Sequence, residues 1–96
     1  MRQPTHPGEI LREDILPELN ISKSEFARRA HISRQTLYRI LDGKEPIRVA
    51  TALKLAKLLN NNAGFWLNMQ SKYDVWQSTI SLKDELDQIE CLTANG

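Results

Sequence analysis

The chain has 96 residues, of which 41% are hydrophobic and 26% are charged, and these values are typical of one globular domain with a single core. No uninterrupted apolar run exceeds three residues and the N-terminus lacks an apolar signal region, so we expect a cytoplasmic protein without a membrane segment. The formal net charge of +1 conceals a basic middle, because residues 23–57 carry nine basic and three acidic side chains, a local +6 that favours a polyanionic partner.

Helical periodicity runs along the chain and strand-like alternation is absent, so we predict an all-α fold. The first helix is predicted to begin at Pro7 and to be interrupted at Pro17. Ser22 stands three residues before Glu25, a capping box that predicts a second helix continuing through Ala30.

Three more helices follow with recognisable start and stop signals. Ser33 is predicted to cap a third helix that runs to about Leu41, and Gly43 suits the left-handed conformation that ends helices. A fourth helix is expected at residues 49–59, and a fifth at 63–76 after an asparagine-rich break.

The tail is acidic, with one lysine and four carboxylates from Ser81 onward. Ser81 precedes Asp84 by three residues, and apolar residues recur at helical spacing at positions 82, 86 and 89. This pattern permits a short sixth helix that needs a packing partner to be stable.

The third predicted helix has two chemically different faces. Leu37, Ile40 and Leu41 form its apolar side. Gln35 and Arg39 each lie about 160° from Leu37 at the period of an α-helix, so both should be exposed, with Thr36 and Tyr38 beside them.

The exposed face suits DNA better than it suits bulk solvent. Glutamine can bond adenine through two hydrogen bonds, arginine can bond guanine N7 and O6, and a threonine methyl can pack on a thymine methyl. The helix N-terminus adds N–H groups that favour phosphate. The alternative is an ordinary solvated helix that happens to be rich in polar residues.

The second and third helices together are typical of a helix-turn-helix. Small Ala27 allows the two helices to cross closely, and Ile32, Leu37 and Ile40 close the core beneath them. Lys23 then lies where the first helix of such a motif crosses the phosphate backbone, or is a plain solvated lysine.

At this level of detail the sequence resembles a known family, the HigA-type antitoxins (also VapI-like regulators) of the Xre/Cro helix-turn-helix superfamily. Four segments carry the resemblance: HPGEILRE (6–13), SKSEFARRAHISRQTLYRILDGK (22–44), TALKLAKLL (51–59) and FWLNMQSKYD (65–74). The resemblance implies a five-helix, lambda-repressor-like domain at residues 1–76. The extension at 77–96 is then expected to form a short helix at a dimer interface.

The resemblance also implies a function: a homodimeric repressor of its own operon that binds a palindromic operator and neutralises a RelE-like mRNA-cleaving toxin. It assigns DNA bases to Arg34, Gln35, Thr36, Tyr38 and Arg39. It assigns phosphate contacts to Lys23, Ser33 and Lys44.

Two residues depart from the family pattern. Family members often have glutamine in place of Lys23, and usually glycine in place of His31. Because a non-glycine residue with positive φ is uncommon, the turn at His31 is either strained or uses another conformation.

Aromatic residues concentrate between positions 65 and 76, and their helical spacing favours core packing, with a dimer or toxin contact as the alternative. Weaker interface candidates, from this segment and the tail, are Trp76, Leu82, Leu86 and Ile89. In the HPGE segment, Pro7, Gly8 and Glu9 are interpreted as a helix start, and Lys54 and Lys57 as solvated side chains.

Catalysis and cofactor binding have little support in the sequence. The single cysteine, Cys91, and the two histidines show no metal-site spacing, so no metal or cofactor is expected. An RNA-cleaving toxin would need a sheet, and neither histidine has a plausible catalytic partner. We therefore predict no enzyme; a stand-alone Xre-family regulator without a toxin, and a protein-interaction adaptor, are the alternatives to an antitoxin.

Overall fold

The computed structural model describes residues 2–92, which form helices joined by short connections and contain no strand. The elements are α1 (Pro7–Ile10), a π-helical turn (Leu11–Ile15), α2 (Leu16–Leu19), α3 (Lys23–Ala30), α4 (Arg34–Leu41), α5 (Val49–Leu59), α6 (Ala63–Ser81) and α7 (Lys83–Asp87). Because α1, the π-turn and α2 follow one another without a break, they form one helical segment, and residues 2–92 contain six such segments. The predicted all-α fold class is therefore confirmed.

The first helical segment does not stop at Pro17, so that part of the prediction was wrong. The N–H of Leu16 donates to the carbonyl of Leu11, one residue further back than in an α-helix. This wider turn places Pro17 in the first turn of α2, where its missing N–H is not needed for a helical hydrogen bond. The segment ends at Asn20, which has a φ of 56°.

The predicted serine caps of α3 and α4 are confirmed. The hydroxyl oxygen of Ser22 accepts from the N–H of Glu25, and that of Ser33 from the N–H of Thr36, each at 3.0 Å. Only half of the capping box forms, because the Glu25 carboxylate binds Arg28 and Arg29 instead of returning to the cap.

His31 takes the left-handed conformation, with φ 58° and ψ 40°. The N–H of Ile32 donates to the carbonyl of Ala27 at 3.0 Å, which closes the end of α3. The carbonyl of His31 accepts from Nζ of Lys54 on α5, also at 3.0 Å. The turn therefore keeps the conformation that favours glycine, and Lys54 is a structural ligand of the turn in addition to being solvated.

The core lies between the first helical segment and α3 to α6. Leu37 and Ile40 are buried as predicted, and Trp66 is the largest fully buried side chain. The buried apolar cluster consists of Leu11, Leu16, Phe26, Ala27, Leu37, Ile40, Leu41, Ile47, Ala52, Leu55 and Trp66.

The C-terminal helices differ from the expected boundaries. α6 continues five residues past Trp76, because residues 77–81 contain neither proline nor glycine to stop it. Ser81 is the last residue of α6 and does not cap α7, since its hydroxyl faces the carbonyl of Ser78. Every residue from 77 to 92 is exposed. Within the described chain, no helix has both the length and the hydropathy needed to cross a membrane.

Candidate nucleic-acid interface

The two faces of α4 lie as the sequence predicted. Leu37, Ile40 and Leu41 are at most 3% exposed, whereas Gln35 and Arg39 are exposed on the opposite side. Arg34 is also exposed, Tyr38 is 43% exposed, and Thr36 is half-buried. One helix therefore anchors its apolar side in the core and presents hydrogen-bonding side chains outward.

Ser33 and Thr36 are coupled at the N-terminus of α4. The Ser33 hydroxyl donates to the Thr36 hydroxyl at 2.8 Å while its oxygen accepts the Thr36 N–H. The pair fixes the first turn of α4, which is the positive end of its helix dipole.

Lys23 and Tyr38 bring the two helices of the motif together on the exposed side. Nζ of Lys23, at the start of α3, lies 5.9 Å from the centroid of the Tyr38 ring. A cation at this distance from an aromatic face is held by a weak cation–π attraction. A predicted phosphate contact and a predicted base contact are therefore neighbours.

Arg39 has a partner that sequence reasoning missed. Its Nε lies 3.6 Å from Oε1 of Glu45, in the loop between α4 and α5. Lys44, the third predicted phosphate contact, is exposed in the same loop, and its N–H donates to the carbonyl of Arg39. No spacing rule links Glu45 to Arg39, because the loop path decides their distance.

The N-terminal segment supports α4 from behind, which the sequence did not reveal. Gly8 lies against the backbone carbonyl of Ile40, and Nη1 of Arg12 donates to the carbonyl of Leu41 at 2.9 Å. A cation at a helix C-terminus also favours the helix dipole. In the sequence, the resemblance of HPGEILRE to the family motif was the signal that this segment matters. That resemblance does not explain which contacts the segment makes.

His6 is buried at the start of this segment. Its Nδ1 accepts from the N–H of Gly8 at 2.9 Å, which caps α1, and its ring meets Tyr73 edge-on at 4.9 Å. Burial lowers the pKa of His6 from its usual 6.5, although the carboxylates of Asp74 and Glu9 oppose the shift.

The aromatic residues of α6 divide between core and surface. Trp66 is fully buried and its Nε1 donates to Oδ1 of Asn61, while Phe65 is 42% exposed. Tyr73 and Trp76 are half-buried and lie 5.9 Å apart. The predicted core packing is therefore observed for Trp66 but not for Phe65, whose side chain is exposed.

The remaining interface candidates all lie in the tail. Leu82, Leu86 and Ile89 are 43%, 45% and 65% exposed, and Cys91 is exposed as well. The row is apolar and open, so its assignment as a dimer or toxin contact stays a prediction.

The basic surface is partly neutralised on α3. Glu25 binds both Arg28 and Arg29, and the hydrogen bonds from these guanidinium groups lower the pKa of Glu25 to about 2. Among residues 2–92, no group of histidine, cysteine and acidic side chains is placed to hold a metal ion.

A family model and a relative of known sequence both match this chain as a helix-turn-helix protein. The family model described as Helix-turn-helix matches residues 11–66. The uncharacterized HTH-type transcriptional regulator YbaQ of Escherichia coli K12 is 31% identical over 91 residues, which cover 93% of this chain and 80% of that protein.

Two solved structures show similar chains with DNA. The Pseudomonas aeruginosa antitoxin HigA with the higBA promoter superimposes with a TM-score of 0.87 at 33% identity, covering 95% of this chain and 100% of the other. The antitoxin GraA in complex with its operator gives a TM-score of 0.87 at 34% identity, covering 98% of this chain and 95% of the other.

Proposed function

This chain belongs to the helix-turn-helix family of DNA-binding regulators, and we propose that it is an antitoxin that represses its own operon by binding a palindromic operator as a homodimer. The observation that carries the proposal is α4. Its apolar side is fully buried, so the opposite side, with Gln35 and Arg39, is exposed and accessible to bases.

The proposed DNA surface combines base reading with phosphate binding. Arg34, Gln35, Thr36, Tyr38 and Arg39 read the major groove. Lys23, Ser33 and Lys44 contact phosphates on either side of α4. The relatives whose structures were solved with promoter or operator DNA support this use of the fold.

A palindromic operator calls for two copies of α4 about 34 Å apart, one DNA turn. The exposed apolar row of the tail, Leu82, Leu86 and Ile89, together with half-buried Trp76, offers an apolar surface for a second copy or for the toxin. Its acidic neighbours would also suit a basic, RelE-like toxin.

The test of DNA reading uses the DNA directly upstream of the coding sequence and a random duplex of equal length. Gln35→Ala and Arg39→Ala should each weaken upstream binding by about 1–3 kcal/mol while changing random binding little. Equal losses on both duplexes would refute the assignment of these residues to bases.

The antitoxin role is tested separately, by cloning the neighbouring reading frame. A frame whose product arrests growth, and whose arrest is relieved by co-expression of this chain, would support the role. Operator binding without any such neighbouring gene would favour a stand-alone regulator. An HTH-type transcriptional regulator is among the relatives of this chain.

A further inference from the structure

Arg39 and Glu45 form an ion pair that lies at the edge of the proposed DNA surface. Nε of Arg39 is 3.6 Å from Oε1 of Glu45, and the two side chains are 53% and 28% exposed. Within residues 2–92, neither side chain makes another ion pair, and at 3.6 Å the contact between them is an electrostatic attraction and not a hydrogen bond. The carboxylate therefore has one cationic partner, and that partner is the arginine opposite the buried face of α4.

The backbone of the loop, and not the ion pair, places Glu45 beside Arg39. Gly43 turns the chain with a φ of 72°, and the N–H of Lys44 donates to the carbonyl of Arg39 at 2.9 Å. On the other side of Glu45, the N–H of Ile47 donates to Oε1 of buried Gln70 at 2.8 Å. Glu45 is thus held between two anchored residues, and its carboxylate is available to orient the arginine.

The position of the carboxylate has a chemical consequence for the guanidinium group. Arginine has five donors in a planar fork, and a carboxylate on the Nε side leaves the two terminal nitrogens unoccupied. Those two nitrogens match the N7 and O6 acceptors of guanine.

Fold stability alone gives little reason for this ion pair. An ion pair that is partly exposed and 3.6 Å long contributes little to folding. A carboxylate near the DNA also repels phosphates and weakens binding to any sequence. A carboxylate that lowers affinity for DNA of any sequence is expected where it raises selectivity for a particular base.

We propose that Glu45 is a positioning residue that orients Arg39 for bidentate recognition of guanine, an inference that rests on the proposed DNA-binding function. Glu45 lowers affinity for DNA in general and raises the preference for guanine at the base that Arg39 reads. Loss of Glu45 should therefore move these two quantities in opposite directions, which a merely structural role would not do.

The experiment begins with a duplex chosen by the unmodified chain from a randomised library. Each guanine of that duplex is replaced in turn by 7-deazaguanine, which lacks the N7 acceptor. The guanine read by Arg39 is the one whose replacement weakens the unmodified chain but not Arg39→Ala. Binding of all variants to this duplex, to its 7-deaza form and to a random duplex is then measured at one salt concentration.

Glu45→Gln should bind the random duplex more tightly than the unmodified chain, and its discrimination against 7-deazaguanine should fall about fivefold, the lower end of what one bidentate pair provides. Glu45→Asp keeps the charge but shortens the side chain. It should leave random binding unchanged and still lose part of the discrimination.

Glu25→Gln is the matched control, because it also removes one carboxylate from a glutamate paired with arginine, on α3. It should raise affinity for both duplexes without changing discrimination. Thermal melts monitored by circular dichroism verify that each variant is folded.

The outcomes separate the two proposals. If the unmodified chain selects no sequence, the proposed function fails and the role of Glu45 fails with it. If the chain selects a sequence but Glu45→Gln retains full discrimination, or if no guanine depends on Arg39, only the role of Glu45 is overturned.

Discussion

Gly8 passes so close to the carbonyl group of Ile40 that a Cβ atom placed on residue 8 would lie 1.8 Å from the carbonyl oxygen. The obstacle is the backbone of α4, so it cannot be relieved by a side-chain rotation. The contact makes the start of the chain a direct support of α4.

Gly8→Ala should therefore force α1 and α4 apart and lower the free energy of unfolding by about 2–3 kcal/mol, which chemical denaturation measures. Gly64→Ala is the control, because the nearest atom to its added Cβ is the Asn62 side-chain oxygen at 3.2 Å. That variant should stay within about 1 kcal/mol of the parent. Comparable losses at both glycines would show that the approach to Ile40 is not the cause.

Arg12→Met should remove the donor that satisfies the carbonyl of Leu41 and should lower the melting temperature by a few degrees. Methionine keeps much of the aliphatic stem, so the change isolates the guanidinium group. Glu13→Gln breaks the neighbouring Arg12 ion pair, which is exposed, and leaves the carbonyl contact intact. A larger effect of Glu13→Gln than of Arg12→Met would contradict this account.

His31→Gly should raise the free energy of unfolding by about 1 kcal/mol, because glycine adopts the left-handed conformation without the steric cost of a Cβ. The Lys54 contact is to the backbone carbonyl and is retained. His31→Ala removes the ring but keeps the Cβ, and should stay near the parent. A loss of stability in His31→Gly would mean that the ring itself stabilises the turn.

His6 should make stability depend on pH. Because its pKa is lowered in the folded state, the unfolded chain takes up a proton more readily once the pH falls below 6.5. The stabilisation is therefore present above that value and is lost as the pH falls through the window between 6.5 and the lower folded pKa.

His6→Asn tests this pH dependence, since an asparagine oxygen can still accept the N–H of Gly8. We expect the parent to lose more stability than His6→Asn between about pH 7.5 and pH 5.5. Carboxylates that do not interact with His6 titrate alike in both proteins and cancel in the difference. Parallel pH profiles would exclude His6 as the source.

Lys23→Ala should weaken binding to upstream and random duplexes alike, and should reduce the slope of log affinity against log salt by about one. The reason is the loss of one cation next to Tyr38 on the surface that we propose binds DNA. Lys57→Ala removes the same charge from an exposed site on α5 and should change the slope little. An unaltered slope in Lys23→Ala would remove its phosphate role.

Local patterns were sufficient to predict most elements of this fold. Ser22 and Ser33 were identified as caps and Gly43 as a stop, because each acts on backbone groups within one helical turn. The same periodicity placed Leu37 inside and Arg39 outside.

Local rules were less reliable where a neighbouring turn could compensate. Proline chemistry predicts an interruption of the first helix at Pro17, but the π-turn before it supplies a register in which proline is tolerated. The predicted end of α6 at Trp76 was also wrong. Residues 77–81 contain no proline or glycine, so no local signal shows where the helix ends.

The sequence by itself determined the all-helical class, the serine caps of α3 and α4 and the two faces of α4, because these depend on residues within a few positions of one another. Only the tertiary structure decided which distant groups meet: Gly8 with Ile40, Arg12 with Leu41, Lys54 with His31 and Glu45 with Arg39. These contacts depend on how closely the helices cross and where the loops run. Both follow from packing the whole core, and no spacing along the chain encodes them.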